Sequence, residues 1–248
     1  MKENILGIDV CSDTYDELAA KLLQDIDKGR KSFIVAINPE KIMKAQEDQE
    51  LKSLLNQATY QIPDGIGVIL ASKLKKGRIR ERVTGIDMML KLCKEATNNG
   101  KRIFLYGAKP GIADEAKAKL EEMFPGILIV GTLNGYEKNE EVIERTINDS
   151  GAEIVFVALG SPAQENWIIA HKEKLNPSVY QGVGGSFDVI SGRLNRAPAV
   201  FQKFGLEWLY RLLKEPWRWK RQLELPRFLL RVLEVKKACG LYPHAFYF

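Results

Sequence analysis

Four runs of continuous apolar residues in the first four-fifths of the chain each precede a segment with helical spacing of its apolar positions. The runs are Phe33–Asn38, Arg102–Gly107, Glu153–Gly160 and Val179–Gly185. Continuous apolar strands that alternate with helices are typical of a mainly parallel sheet with helices on both faces. The pattern therefore predicts an α/β fold, and it predicts a single helix over Pro39–Ala58, directly after the first run.

The pattern changes after Pro198, where the chain becomes helical, basic and aromatic up to about Lys237. Apolar positions recur there at helical spacing, namely Leu206, Leu209, Tyr210 and Leu213. Pro216 is expected to start a second helix, because proline is favoured in the first helical turn. We therefore predict a core over residues 1–195 and a helical appendage over residues 196–248.

The core and the appendage also differ in net charge. The net charge of the chain is +5, but residues 193–237 alone contain twelve Lys or Arg and four Asp or Glu, a local charge of +8. Such a concentration indicates an anionic partner: phosphate, nucleic acid or a membrane surface. Residues 205–221 also hold three of the four tryptophans, Trp208, Trp217 and Trp219. Tryptophan and leucine beside basic residues favour a lipid–water interface over a nucleic-acid duplex.

The cysteines and the first residues indicate a compartment. The three cysteines are widely spaced and form neither a disulfide framework nor a metal motif, which favours a reducing environment. The first residues have no long apolar run, so we expect no signal peptide. No window approaches the roughly 20 apolar residues of a spanning helix. The sequence therefore predicts a cytoplasmic protein.

Polar or glycine-rich turns follow the predicted strands. They lie at Asn38–Glu40, Gly107–Gly111, Gly160–Glu165 and Gly184–Ser186. Any one of them is compatible with an ordinary strand-to-helix turn, but four at one sheet edge favour a ligand pocket, because parallel sheets bind ligands there. The dinucleotide and P-loop glycine patterns are absent. Lys109 and neighbouring backbone N–H groups could still hold a nucleotide phosphate.

Two further segments contain candidate polar residues. In "IPDGIGV", Asp64 lies between an apolar run and a helix, where it is either a helix cap or turn former or a general base at the pocket rim. In "RVTGID", Thr84 is predicted to cap the next helix. Arg82 is either a solvated loop charge or a phosphate ligand.

The sequence predicts no metal ion or other cofactor. The only Asp-x-Asp triplet is Asp25-Ile26-Asp27, in an amphipathic helical pattern. Residues two apart on a helix point about 200° apart and cannot share an ion, so both carboxylates are expected on the helix surface. His171 and His244 have no metal-ligand spacing with any cysteine.

The motifs together carry a family resemblance. They are "NPE", "IPDGIGV", "RVTGID", "LYGAKPG", "VALGSPAQENWI", "GVGGSFDVISGRLNRAP" and "GLEWLYRLLKEPWRWKR". From about Ile34 to Arg221, the chain resembles the WecG/TagA/CpsF glycosyltransferases. The resemblance implies a Rossmann-like core and an inverting, metal-independent transfer. The sugar moves from a UDP donor to an undecaprenyl-diphosphate-linked acceptor at the inner face of the cytoplasmic membrane.

The finer resemblance is to the wall-teichoic-acid branch of the family. That branch implies transfer of N-acetylmannosamine from UDP-N-acetylmannosamine to undecaprenyl-diphosphate-N-acetylglucosamine in a β-1,4 linkage. The alternative within the family is another UDP-sugar, such as UDP-N-acetylmannosaminuronic acid. A nucleotide-binding oxidoreductase or a nucleic-acid-binding module is less favoured, because the dinucleotide pattern is missing and the appendage is rich in tryptophan.

The resemblance assigns roles to individual residues. Asp64 matches the catalytic base, and Asn38, Arg82 and Gln164 match residues that line the donor-sugar pocket. The appendage arginines expected over the diphosphate are Arg211, Arg218 and Arg221. The other residues expected to contact substrate are Thr84, Gly107, Lys109, Gly111, Gly185 and Asp188. Position 36 departs from the family, which has threonine or serine there, so Ala36 lacks a hydroxyl that could assist at the pocket.

The appendage is expected to act at a surface. We expect it to dock over the core only at the membrane, where it completes the site. In water its exposed apolar face, residues 200–213, predicts self-association as a homodimer. The expected partners are thus the UDP-sugar, the lipid-linked acceptor, the membrane surface and a second copy of the chain, with no nucleic acid.

Overall fold

A six-stranded parallel sheet forms the centre of the protein. The computed structural model describes residues 1–219 and 223–241. Within them the sheet has the order β4-β3-β8-β7-β5-β6, and β1 and β2 form a separate antiparallel hairpin. The strands are β1 (Lys2–Ile5), β2 (Ile8–Cys11), β3 (Ser32–Ile37), β4 (Tyr60–Pro63), β5 (Arg102–Gly107), β6 (Leu128–Leu133), β7 (Ile154–Ala158) and β8 (Val179–Gly182). The predicted α/β class is confirmed.

Helices connect the strands and form the C-terminal region. They are α1 (Tyr15–Asp27), α2 (Pro39–Glu47), α3 (Gln49–Asn56), α4 (Ile66–Leu74), α5 (Gly85–Asn98), α6 (Ile112–Met123), α7 (Glu140–Asp149), α8 (Ala163–His171), α9 (Ser186–Ile190), α10 (Ala199–Lys203), α11 (Glu207–Lys214) and α12 (Glu224–Leu241). A 3-10 turn over Pro216–Arg218 follows α11, so the chain begins a new helical segment at the predicted proline. None of the helices in the described ranges has the length and apolar character needed to span a bilayer.

Helices cover both faces of the sheet because its strands are apolar on both sides. On one face, Phe33, Val35 and Ile37 of β3 pack with α2, α3, α4, α7, α8 and α12. On the other face, Ile34 packs with α1, α5, α6 and α9. This arrangement explains why the strands read as continuous rather than alternating apolar runs.

The strand order creates a crevice at the carboxyl ends of the strands. Strand β8 lies between β3 and β7. The helix that follows β8 packs on one face, whereas the helices that follow β3 and β7 pack on the other. Where neighbouring strands lead to helices on opposite faces, the loops separate and leave room for a ligand. The loops that begin at Asn38 and Val183 therefore border the crevice.

The predicted helix over Pro39–Ala58 is wrong in its length. It is divided into α2 and α3 at Asp48, whose backbone is extended (φ −126°, ψ 101°). The Asp48 side chain accepts a hydrogen bond from the backbone N–H of Leu51 at 2.9 Å. An aspartate that caps a new helix competes with continuation of the preceding one, which explains the break.

Helix α12 packs on the core rather than standing apart from it. It lies against α2 and α4, where the side chains of Phe228 and Val232 are buried in the same apolar cluster as β3. The expectation that the appendage docks only at a membrane is therefore wrong for α12. Other apolar residues of the C-terminal region are exposed, among them Val200, Phe204, Leu213, Trp217 and Trp219.

Candidate active site

Asp64 lies at the crevice, at the end of β4. Its backbone N–H donates to the carbonyl oxygen of Ile37 at 2.8 Å, which continues the β3–β4 pairing up to the level of Asn38. The backbone N–H of Gly85, the first residue of α5, lies 3.4 Å from Asp64 Oδ2. The N-cap of α4 is Gly65, so the helix-cap alternative for Asp64 is wrong. The half-buried Asp64 carboxylate thus lies beside a helix N-terminus, and a carboxylate at the rim of a pocket can act as a general base.

Asn38 borders the same space from β3. Its side-chain oxygen accepts from the backbone N–H of Lys41 at 2.9 Å and caps α2. The Cβ of Ala36 would lie 3.5 Å from a Cβ built on Gly85, and that Cβ would lie 3.9 Å from Asp64 Oδ2. Ala36 and the Asp64 carboxylate thus both border Gly85, so the departure from the family pattern falls beside the candidate site.

Gln164 joins the crevice from the first turn of α8. Its Oε1 accepts from the backbone N–H of Gly184 at 2.9 Å, and its Nε2 donates to Glu165 Oε1 at 3.2 Å. The side chain is 3% exposed. A Cβ at position 182 would lie 2.6 Å from Gln164 Nε2, so only glycine fits at Gly182 while Gln164 holds this position. The structure therefore places Asn38 after β3, Asp64 after β4 and Gln164 after β7, with the Gln164 side chain reaching Gly184 after the intervening strand β8.

A buried ion pair that the sequence analysis missed lies beside them. Lys41 Nζ is 2.7 Å from Glu165 Oε1, and the side chains of Lys41 and Glu165 are 15% and 0% exposed. The other carboxylate oxygen, Oε2, has no hydrogen-bond partner among the described residues. The pair adjoins an open cleft lined by Asn38, Glu40, Lys41, Lys44, Leu51, Ser161 and Pro162. Both residues lie in the first turn of a helix that follows a strand. Charged side chains in such turns are usually exposed, so the sequence does not indicate that these two are buried.

Arg82 is engaged by the appendage. Its guanidinium donates to the carbonyl oxygen of Gln202 at 3.2 Å and lies 3.3 Å from the Glu207 carboxylate of α11. Glu207 also contacts Arg196 at 3.3 Å, and Arg196 pairs with Asp87 at 2.7 Å. The solvated-loop alternative for Arg82 is therefore wrong, because this side chain is only 17% exposed.

The capping prediction for Thr84 is confirmed. Its hydroxyl accepts from the backbone N–H of Asp87 at 3.2 Å and lies 2.6 Å from Asp87 Oδ2. Burial alone would raise the pKa of the Asp87 carboxyl, but the hydrogen bonds from Arg196 and Thr84 lower it below its ordinary value. The resulting network fixes the start of α5, which includes the Gly85 N–H near Asp64.

A second group of predicted residues lies farther along the same edge. Four inter-strand spacings of about 4.8 Å separate β4 from β5, so Gly107 is roughly 19 Å from the Asp64 strand. Gly107 has φ +120° and packs against the backbone of Ala158, where a Cβ would lie within 2.6 Å. Lys109 is exposed, and Gly111 is the N-cap of α6.

Gly185 and Asp188 follow β8, between the strands that lead to Asn38 and Gln164. Gly185 is the N-cap of α9, and Asp188 is in its first turn. A Cβ on Gly185 would lie 3.9 Å from Asp188 Oδ2. The predicted substrate residues therefore form an extended row along the carboxyl ends of the sheet rather than one compact cluster.

The appendage arginines are only partly described. Arg211 lies on α11, one turn after Glu207, and Arg218 ends the 3-10 turn. Their side chains, and the whole of Arg221, lie outside the described residues. The role of the three arginines stays a prediction.

The surface assignment of Asp25 is wrong. Asp25 is 3% exposed and accepts hydrogen bonds from Ser32 and Tyr60, at 2.5 and 2.9 Å, while Arg30 lies 2.5 Å from its other oxygen. Asp27, two residues on, pairs with Lys101 at an exposed position. No group of three His, Cys, Asp or Glu residues within the described ranges could hold a metal ion.

The parallel sheet with helices on both faces defines a doubly wound α/β protein, a class that binds ligands at the carboxyl ends of its strands. The chain belongs to the glycosyl transferase WecG/TagA/CpsF family, whose model matches residues 3–239. The resemblance found in the motifs is thereby confirmed.

Two curated relatives carry the same enzyme name, N-acetylglucosaminyldiphosphoundecaprenol N-acetyl-beta-D-mannosaminyltransferase. The protein from Bacillus spizizenii is 39% identical over 219 residues, which cover 88% of this chain and 85% of the relative. The protein from Bacillus subtilis is 38% identical over 212 residues, covering 86% of this chain and 83% of the relative.

Proposed function

We propose that this protein transfers N-acetylmannosamine from UDP-N-acetylmannosamine to N-acetylglucosaminyl-diphosphoundecaprenol, with inversion to a β-1,4 linkage. The observation that carries the proposal is that a chain of this family has Asp64, Asn38 and Gln164 in the loops at the carboxyl edge of its parallel sheet. The names of the two Bacillus relatives support this choice of sugar and acceptor.

Asp64 is the proposed general base. The acceptor hydroxyl oxygen attacks the anomeric carbon of the donor sugar, and the bond between that carbon and the UDP oxygen breaks. The electron pair leaves with UDP, while the hydroxyl proton passes to the Asp64 carboxylate. The N–H of Gly85 beside Oδ2 supports this role, because the contact helps to hold the carboxylate in place.

Basic groups along the strand edge are the proposed partners of the departing diphosphate. They are Arg82, Lys109 and the appendage arginines Arg211, Arg218 and Arg221, with the N-terminus of the 12-residue helix α6 at Gly111. Donors placed where negative charge develops can each lower a barrier by about 3–4 kcal/mol. The length of the row supports an extended ligand, with the sugar near Asp64 and the nucleotide toward β5. In this arrangement Gly107, Gly185 and Asp188 border the nucleotide, and Thr84 fixes the loop that carries Arg82.

The C-terminal region is the proposed membrane-facing part of the enzyme. We assign residues 1–195 to the catalytic core and residues 196–248 to an appendage that associates peripherally with the inner membrane face. The exposed side chains of Phe204, Trp217 and Trp219 support this assignment, because large apolar side chains beside basic residues suit the lipid–water interface. In water the same face is proposed to form a homodimer, which light scattering with and without detergent would test.

The test of the function is a donor screen with a short-chain prenyl-diphosphate-N-acetylglucosamine acceptor. UDP-N-acetylmannosamine should give a disaccharide product and free UDP, and the product should be β-1,4 linked by NMR. UDP-N-acetylmannosaminuronic acid and UDP-N-acetylglucosamine serve as matched donors. Faster transfer from either of these, or no transfer from any, would overturn the assignment of the donor.

A further inference from the structure

Glu165 is a buried carboxylate whose presence is not explained by stability. Its side chain is fully buried, and its ion-pair partner among the described residues, Lys41, is 15% exposed. A buried ion pair is often no more stabilising than apolar side chains of the same size, because desolvation offsets the attraction. Oε2, which has no hydrogen-bond partner within residues 1–219 and 223–241, adds a further penalty, since a buried oxygen without a donor loses its hydrogen bonds to water.

The contacts of Glu165 instead determine the orientation of Gln164. A glutamine amide has a donor end and an acceptor end of nearly the same shape. Here Gly184 presents an N–H to one end, while Glu165 presents a carboxylate oxygen to the other. A backbone N–H can only donate and a carboxylate can only accept, so only one of the two amide orientations satisfies both neighbours.

The same carboxylate connects the loops after three strands. Through Lys41 it reaches the first turn of α2, whose backbone N–H at residue 41 is held by Asn38 after β3. Through Gln164 it reaches Gly184 after β8, and Glu165 itself follows β7. Asn38 and Gln164 are the two amide side chains of the proposed donor pocket.

We infer that Glu165 is a positioning residue for the donor pocket, acting through the Gln164 amide and the Lys41 ammonium. It holds the remaining N–H of Gln164 and the Asn38 loop in the arrangement that receives the donor sugar. This inference rests on the proposed function for its ligand, although the hydrogen-bond arrangement can be tested without substrate.

The first test variant is Glu165→Gln. A glutamine at position 165 can present either its oxygen or its N–H group to Gln164, so it no longer selects one orientation of the Gln164 amide, and it lacks the negative charge that pairs with Lys41. We expect the KM for the UDP-sugar to rise about 10- to 100-fold, the effect of losing a hydrogen bond to a charged group. Amide hydrogen exchange of Gly184, followed by NMR without ligand, should accelerate about tenfold or more.

The second variant, Lys41→Met with Glu165→Met, separates positioning from stability. Replacing both partners of a buried pair with apolar side chains leaves stability near that of the wild type. We expect its melting temperature to lie within a few degrees of the wild type, while the KM for the donor stays raised. Asp25→Asn is the matched control, because Asp25 is also buried and paired but lies at the opposite ends of the strands.

The outcomes distinguish this inference from the proposed function. If Glu165→Gln or the double variant keeps the donor KM and the Gly184 exchange of the wild type, the positioning role is overturned. A change in donor KM as large in Asp25→Asn as in Glu165→Gln would overturn it as well. If the wild type uses no UDP-sugar while Gly184 exchange still responds to Glu165→Gln, the proposed function fails and the positioning of Gln164 stands.

Discussion

A buried carboxylate lies at each end of the sheet, and the two carboxylates differ in how completely their oxygens are hydrogen-bonded. At the amino ends, both oxygens of Asp25 have partners, supplied by Ser32, Tyr60 and Arg30. At the carboxyl ends, Glu165 directs one oxygen to Lys41 and Gln164, and the other has no partner in the described part of the chain. A satisfied polar cluster fixes a fold, whereas an incompletely satisfied one is typical of a place where a ligand binds.

The loops around the two carboxylates also differ, because one is closed by hydrogen bonds and the other borders an open cleft. Near the amino ends, the ammonium of Lys31 contacts three consecutive backbone carbonyl groups, Leu175 to Pro177, and closes the loop before β8. At the carboxyl ends, the loops after β3 and β7 leave an open cleft. The cleft supports the proposed ligand site at the carboxyl ends, although His171 Nε2 and Tyr180 Oη, near the amino ends, are also buried without a hydrogen-bond partner among the described residues.

The largest effect should follow from the carboxyl ends. We expect Asp64→Asn to lower kcat about 10²- to 10⁴-fold, because an amide cannot take up the proton from the hydroxyl group of the acceptor sugar. The melting temperature should change little, since the substitution keeps the shape of the side chain. The measurement is the rate of UDP release, and a kcat within threefold of the wild type would remove Asp64 from the role of base.

Phe228→Ala tests whether α12 supports the helices that begin at those strand ends. Phe228 is fully buried on the core-facing side of α12. Its truncation should lower the free energy of unfolding, measured by urea denaturation, by about 3–5 kcal/mol. Leu230→Ala on the same helix is the control, because Leu230 is 61% exposed and its truncation should change stability by less than about 0.5 kcal/mol. Equal effects would mean that α12 does not pack on the core in solution.

Asp25→Asn should act on stability alone. Loss of the charged acceptor for Ser32 and Tyr60 should lower the free energy of unfolding by about 1.5–3 kcal/mol. The kcat and donor KM should be those of the wild type at a temperature where both proteins are folded. A fall in kcat/KM of tenfold or more would contradict the division between the two ends of the sheet.

The smallest effect concerns the Asp87–Arg196 pair and depends on pH. Because the pKa of Asp87 is lowered in the folded protein, its contribution to stability is complete well above the ordinary value of 3.8 and disappears as the pH falls through the lower folded value. Asp87→Asn should therefore lose about 0.5–1 kcal/mol at pH 6, a modest figure because the carboxylate is one-third exposed. Near pH 3 the difference from the wild type should shrink, and a difference that grew toward low pH would contradict this sign.

Local pattern was sufficient to predict the main strands and the candidate site. The run Arg102–Gly107 matches β5, and Asn38, Asp64 and Gln164 lie just after strands, as their turns predict. The order of the strands was not predictable, because it depends on pairing between distant segments. Strand β6 was missed because it is an edge strand with exposed Leu128 and Val130, so its pattern is not continuously buried.

The missed charged residues share one physical cause. Asp25 and Glu165 occupy helical positions where acidic residues are usually exposed, and their burial depends on partners that lie far away in sequence. Tyr60 is 35 residues from Asp25, and Lys41 is 124 residues from Glu165. The periodicity of apolar residues indicates which face of a helix is buried, but it does not indicate which distant side chains pair with a charged residue on that helix.

Hydrogen-exchange mass spectrometry of the full-length protein with and without UDP would test the central claim most directly. The account predicts that UDP slows exchange in peptides at the carboxyl ends of the strands, covering residues 38–41, 107–111, 160–165 and 183–188. Peptides over residues 25–32 and 57–60, at the amino ends, should exchange at the same rate in both samples. Protection confined to the amino ends, or protection nowhere at saturating UDP, would contradict the account.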